Sequence, residues 1–109
     1  MDTTQLTDGL SVSPQISPAE VSELAAAGYK SIICNRPDEE ETGQPDFADI
    51  AAAATALGLS TRHIPVDAER PVEMQADAFA KALAELPGPV LAYCRTGNRC
   101  TKLHEAISD

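Results

Sequence analysis

The amino-acid sequence predicts an α/β fold: a three-layer sandwich in which a mainly parallel sheet of four to five strands carries helices on both faces. Short apolar runs alternate with Ala-rich helical stretches almost throughout the 109 residues, and strands separated by helices of this length pair in parallel. Gly and Pro stand at nearly every junction between them. The aromatic share is only 4%, with no Trp, so the core must close with Ala, Val, Ile and Leu in tight layers, which suits helices lying on a sheet. Residues 1–109 are expected to form one domain.

The elements read in order as follows. Leu10 to Ile16 is a short strand, and Pro14 within it points to an edge. Ser17-Pro18-Ala19-Glu20 is a capping box with Pro at the first helical position, opening an amphipathic helix that Gly28 closes. Tyr29 to Asn35, centred on Ile32-Ile33-Cys34, reads as a buried strand that Arg36-Pro37 ends. Asp38 to Gln44 is an acidic loop, and an Ala-rich helix runs from about Asp46 to Leu57, where Gly58 stops it. Thr61 to Val66 is the next strand. A third helix spans roughly Val72 to Leu86 before Pro87-Gly88; Pro89 to Tyr93 is the last strand, and a final helix begins near Cys100. In parallel sheets ligands bind beyond the carboxyl ends of the strands, which would bring Arg36, Asp67 and Cys94 to one edge.

Charge narrows the function classes. A net charge of −9 with only eight basic residues argues against a nucleic-acid surface, because phosphate-backbone affinity comes from clustered Lys and Arg. Several of those few bases flank Cys94, which suits a small anionic ligand. No stretch approaches transmembrane length, and Met1 to Gln5 lacks a signal-peptide pattern, so a cytoplasmic protein with no membrane partner is expected. Three cysteines in such a chain are better read singly than as a disulfide framework.

Cys94-Arg95-Thr96-Gly97-Asn98-Arg99 carries the most chemistry. A thiolate is the reactive form of Cys, and an ordinary thiol is mostly protonated at neutral pH. Three devices here would lower that pKa: a helix start just downstream, two guanidiniums, and a Gly turn whose successive N–H groups converge on an anion. Gly97 permits a backbone that a Cβ would disfavour, and Arg99 offers a planar pair of donors to a tetrahedral anion. The anion cradle is therefore expected from Arg95, Thr96, Gly97, Asn98, Arg99 and Cys100, with Arg36 at the same edge. Cys34, among Ile residues, reads as a small hydrophobe; Cys100 is either packing or a second thiol able to trap an oxidised Cys94. No metal site is expected, because Cys94, Cys100 and His104 lack the close Cys pair of structural zinc motifs.

The chain resembles the phosphatase-like domain of beta-lactamase-hydrolase-like proteins, a bacterial family related in fold to the dual-specificity, cysteine-dependent phosphatases. The resemblance rests on Ile16-Ser17-Pro18 with its helix, Ser31-Ile32-Ile33-Cys34-Asn35-Arg36-Pro37, His63-Ile64-Pro65-Val66 and Ala92-Tyr93-Cys94-Arg95-Thr96-Gly97-Asn98-Arg99. It implies Cys94 as nucleophile, Arg99 as the anion-gripping residue and the backbone between them as the cradle. Asp67 falls where dual-specificity phosphatases carry the acid that protonates the leaving oxygen, with Glu69 a weaker substitute. Those phosphatases have five residues between Cys and Arg, a His before the Cys and a hydroxyl after the Arg. This sequence has four, with Tyr93 and Cys100 at the other two places, and the shorter loop is similar to that of the rhodaneses.

The expected function is hydrolysis of a phosphate ester through a covalent Cys94 intermediate, with no cofactor. A rhodanese-type sulfurtransferase carrying a persulfide on Cys94, fed by a sulfane-sulfur donor such as thiosulfate, is the alternative. A non-catalytic anion- or partner-binding module is the second. Arg36 is expected to orient substrate or pair with the acidic loop, His63 to pack within its strand, and Asp38-Glu39-Glu40-Glu41 to be a solvated loop whose charge repels anions.

Overall fold

The capping box forms as its residues dictate. The Ser17 N–H donates to Glu20 Oε1 at 2.9 Å and the Glu20 N–H donates to Ser17 Oγ at 3.3 Å, satisfying donors that an uncapped start would leave bare. In this computed structural model, which describes residues 2–108, a 3₁₀ turn over Pro18–Glu20 follows the cap and leads into α1, Val21–Ala26. The remaining helices are α2, Phe47–Ala56, α3, Val72–Glu85, and α4, Asn98–Ile107. No helix among the described residues is long and apolar enough to cross a membrane.

Five strands form one sheet: β1, Thr4–Thr7, β2, Leu10–Ser13, β3, Ser31–Cys34, β4, Ser60–His63, and β5, Val90–Tyr93, in the order β1-β2-β5-β3-β4. Only the β1–β2 pair is antiparallel. This is the predicted α/β sandwich, with one correction. The polar start contains β1, a strand that Thr4-Gln5-Leu6-Thr7 does not announce because it lacks apolar alternation. It turns through Asp8-Gly9 onto β2 and takes the edge, so β2 is interior and all four of its residues are buried. Pro14 lies just past the end of β2, where no ladder donor is needed.

Side chains alternate across each strand, and the two faces bury different sets. Leu10, Val12, Ile33 and Ala92 pack with Phe79 and Ala82 of α3 and Leu103 of α4. Ile32, Leu91 and Tyr93 face the other way, against Leu24 of α1 and Ile50 and Ala54 of α2. β4 is shorter than the expected Thr61–Val66 run. The Ile64 and Val66 N–H groups still donate to the Cys34 and Asn35 carbonyls at 2.9 and 3.0 Å, but Pro65 between them has no N–H to give.

The register sets Cys34 opposite both Tyr93 and His63. Because β3, β4 and β5 are parallel, the residues after them emerge at one edge, as the sequence order implied.

Leu91 lies at the centre of the sheet with no exposed surface, whereas Leu57 is 48% exposed. Leu91→Ala should cost about 2–5 kcal/mol in urea denaturation, and Leu57→Ala should stay within about 0.5 kcal/mol.

Candidate active site

The loop after β5 folds back over the sulfur of Cys94. Gly97 has φ 92°, a left-handed conformation that costs Gly nothing and other residues strain. That turn aims the Gly97 N–H at Cys94 Sγ, 3.0 Å away. It also starts α4 at Asn98, which the Thr101 N–H and Oγ secure by donating to the Gly97 carbonyl at 3.1 and 3.0 Å. The space is already tight, since a Cβ on Gly97 would meet the Ser13 carbonyl at 3.4 Å. The Cys94 N–H donates to Ser13 O at 3.4 Å and the Gln15 N–H to Arg95 O at 3.3 Å, tying the loop to the segment that follows β2.

Cys94 is 1% exposed, and burial alone would raise its pKa. The surroundings reverse that, holding the thiol down to about 5: the Cys100 thiol donates to the sulfur, and the backbone N–H groups of Cys100, Thr96 and Arg99 add to it. Cys100 pays the complementary penalty, since burial and the neighbouring Cys94 push its own thiol well above the usual range. The two cysteines therefore share one proton between unequal sites. Asn98 takes no part in this ring, because its N–H is used by Thr96 Oγ1 at 3.3 Å.

Arg36 pairs with the acidic loop, one of the two roles expected of it, and Arg95 and Arg99 join the same carboxylates, which the sequence reading did not anticipate. Arg99 gives Nη1 and Nη2 to the two oxygens of Glu40, at 2.8 Å each, and Nη1 also donates to the Val66 carbonyl at 2.8 Å. Arg36, 3% exposed, donates Nε to Glu40 at 2.9 Å, Nη2 to Glu41 at 2.8 Å and Nη1 to Gln15 Oε1 at 3.0 Å. The exposed Arg95 reaches the same Glu41 oxygen at 3.1 Å. These five side chains line an open pocket of about 430 Å³. Arg99 holds the Glu40 carboxyl below the ordinary carboxylate range, and Arg36 and then Arg95 do the same for Glu41.

Asp38 to Glu41 is exposed, as expected of a solvated loop, but its last two carboxylates are engaged by arginines. The signal was present in the spacing: Glu40 lies four residues after Arg36, at a strand end where a buried guanidinium needs a carboxylate.

Asp67 was expected at this edge as an acid. Its backbone does follow Val66, but its carboxylate is held by Arg70, with Nη2 to Oδ2 at 2.7 Å, and also accepts the Glu69 and Arg70 N–H groups. Arg70 lowers its pKa, and it does not line the pocket. His63 packs as expected, stacked on Phe47 at 4.6 Å with Nε2 donating to the Arg36 carbonyl at 2.9 Å. Cys34 is buried, its thiol raised by burial and donating to the Arg36 carbonyl at 3.3 Å. Among the described residues no three His, Cys, Asp or Glu side chains group as metal ligands.

An α/β sandwich with a cysteine loop at the carboxyl edge of its sheet is a phosphatase-like fold. Residues 2–109 match the family described as beta-lactamase hydrolase-like protein, phosphatase-like domain, and the chain belongs to that family. It is 38% identical over 104 residues to a beta-lactamase hydrolase-like protein of Agrobacterium fabrum, covering 95% of this chain but 24% of the relative. This chain thus spans about a quarter of that protein. Among solved structures, a provisionally assigned phosphatase from Neisseria meningitidis superposes with a TM-score of 0.84 at 42% identity, over 92% of this chain and 71% of that one. One from Shewanella putrefaciens gives 0.80 at 25% identity, over 94% and 67%.

Two measurements follow from the site. Iodoacetamide labelling of Cys94 should rise through a midpoint near pH 5, because the thiolate is present above the folded pKa and lost below it. Cys100→Ala, by removing the strongest donor to the sulfur, should move that midpoint upward in the same assay.

Proposed function

We propose that this domain is a cysteine-dependent group-transfer enzyme acting on small anions, and that sulfane-sulfur transfer is the chemistry its geometry supports best. Cys94 is the nucleophile, Arg99 the principal anion-binding side chain, and Arg36 and Arg95 its helpers. The observation that carries the choice is the Asp67–Arg70 ion pair. An alkoxide leaving from phosphorus needs a proton, and a carboxylate fixed to a guanidinium with a lowered pKa is a poor source of one.

Sulfur transfer needs no such proton. The Cys94 thiolate attacks the outer sulfur of a donor such as thiosulfate, the sulfur–sulfur bond of the donor breaks, and sulfite leaves with the electron pair as a stable anion. The persulfide left on Cys94 is itself anionic at its outer sulfur, and the convergent N–H groups stabilise that charge. An acceptor thiolate then attacks the outer sulfur and Cys94 leaves as the thiolate it was. Only four residues separate Cys94 from Arg99, and the Gly97 N–H already points at Cys94 Sγ, an arrangement that favours a single added sulfur over a phosphoryl group.

Phosphate-ester hydrolysis is the second reading, favoured by the fold and by the phosphatase relatives. Cys94 would attack phosphorus, the ester oxygen would leave, and water would cleave the thiophosphate, with Arg99 and the loop N–H groups holding the equatorial oxygens. With Asp67 engaged by Arg70, this route suits an aryl phosphate, whose phenoxide leaves with little protonation.

Intact-protein mass spectrometry separates the two. Thiosulfate should add one sulfur atom to Cys94, and Cys94→Ser should abolish the gain. Asp67→Asn should leave the sulfur-transfer rate within about twofold, since the residue has no proton to deliver in that reaction. A phosphate adduct with an aryl phosphate, and none with thiosulfate, would place hydrolysis first.

A further inference from the structure

The pocket lined by Arg95 and Arg99, the two arginines of the Cys94 loop, holds three guanidiniums and two carboxylates in one chain of ion pairs. Glu40 presents both oxygens to Arg99 and shares one of them with Arg36; Glu41 bridges Arg36 and Arg95. Donors that an oxyanion would use are therefore already occupied by oxyanions of the protein itself. The segment that delivers them is built for the purpose. Gln44 Oε1 accepts the Glu40 and Glu41 N–H groups at 3.1 and 3.3 Å while its Nε2 donates to the Pro37 carbonyl at 2.8 Å, closing the loop on itself. Glu39, just before them, takes a left-handed φ of 65°, a conformation uncommon for a residue with a side chain. At the far end Asp38 Oδ1 accepts the Phe47 N–H at 2.8 Å, fastening the loop to the start of α2.

We infer that Glu40 and Glu41 are resident occupants of the anion site, so that a donor anion reaches Cys94 by displacing them, and that this exchange selects tetrahedral dianions. The selection follows from charge and shape. Three guanidiniums less two carboxylates leave one positive charge, and a dianion in their place leaves the same balance, whereas a monoanion leaves two charges uncompensated in a half-buried site. Nitrate also directs its three oxygens within one plane, whereas the three guanidiniums approach from different elements and a tetrahedral anion can turn an oxygen toward each. The inference rests on the reading of the Cys94 loop as an anion site, but not on which reaction occurs there.

Protection of Cys94 from iodoacetamide by sulfate, compared with nitrate, tests it on the whole chain without any turnover. The half-protecting concentration is read, so altered basal labelling does not matter. The E40Q/E41Q double variant should lower that concentration for sulfate roughly tenfold, because the competing charges are gone while side-chain shape is kept. Gln44→Ala leaves all charges in place and loosens only the loop; it should lower it by about threefold. Glu39→Gln, in the same loop but outside the ion pairs, should leave it unchanged, and the wild-type chain should be protected far better by sulfate than by nitrate. Unchanged or weaker sulfate protection in E40Q/E41Q would overturn the inference, since it would mean that the glutamates hold the arginines in place for substrate instead of competing with it. If sulfate affinity rises in the variant while neither protein takes up sulfur or phosphate, the occupancy stands and the proposed reaction falls. If the wild-type chain turns over thiosulfate and the variant gains no affinity, the reverse holds.

Discussion

The molecule depends on keeping a negative charge on a sulfur that water scarcely reaches. An anion of this kind would be expelled from a protein interior unless several donors point at it at once. The donors come from the backbone of one short loop, and they point inward only because the chain reverses its handedness at Gly97 and then enters α4. The sheet, the two-sided core and the anchoring of the loop to Ser13 and Gln15 all serve to hold that reversal in place. Cys100, three residues after Gly97 in the first turn of α4, does the most to hold the Cys94 thiol down. That role turns what looks like a packing residue into the proton donor that completes the ring.

A second charge problem is met at the same edge of the sheet, at Arg36. Arg36 is almost wholly buried, and a guanidinium left alone there would cost several kcal/mol by the general rule for broken buried pairs, about 3–5 kcal/mol. Its partners are acidic residues contributed by the same turn of chain, so folding the strand end and neutralising the arginine are one event. The overall negative charge of the protein is consistent with this arrangement: basic side chains are few and three of them are concentrated at one edge, where carboxylates hold them in register. Long-range attraction of anions is weak under these conditions, and selectivity must come from contact.

Much of this was legible in residue order. The capping box at Ser17, the buried Ile32-Ile33-Cys34 strand, the helix boundaries and the Cys-to-Arg loop are set by local chemistry that a single stretch of sequence carries. The first strand escaped because an edge strand needs only one paired side and little apolar character, so Thr4-Gln5-Leu6-Thr7 resembles a loop until β2 is there to pair with it. Asp67 was placed by its position after a strand, which locates the backbone and says nothing about the carboxylate; Arg70, three residues on, decides its direction. Glu40 and Glu41 were read as solvated because acidic runs usually are. What sequence order concealed was that Arg95 and Arg99 meet them from 54 and 59 positions away, a juxtaposition that exists only once the parallel strands are aligned.

The loop from Pro37 to Gln44 is fastened by the side chains of Asp38 and Gln44 and by the ion pairs of Glu40 and Glu41, not by burial of its middle. Substitutions there that spare Glu40 and Glu41, the partners of the buried Arg36, would disturb neither half of the core nor the glycine turn beside Cys94. The acidic loop and the cysteine loop are consequently written in separate stretches of the gene, so one can drift under selection while the other stays fixed. A domain organised this way is a ready starting point for diversification: the cysteine loop can stay as it is while the acidic loop beside it changes.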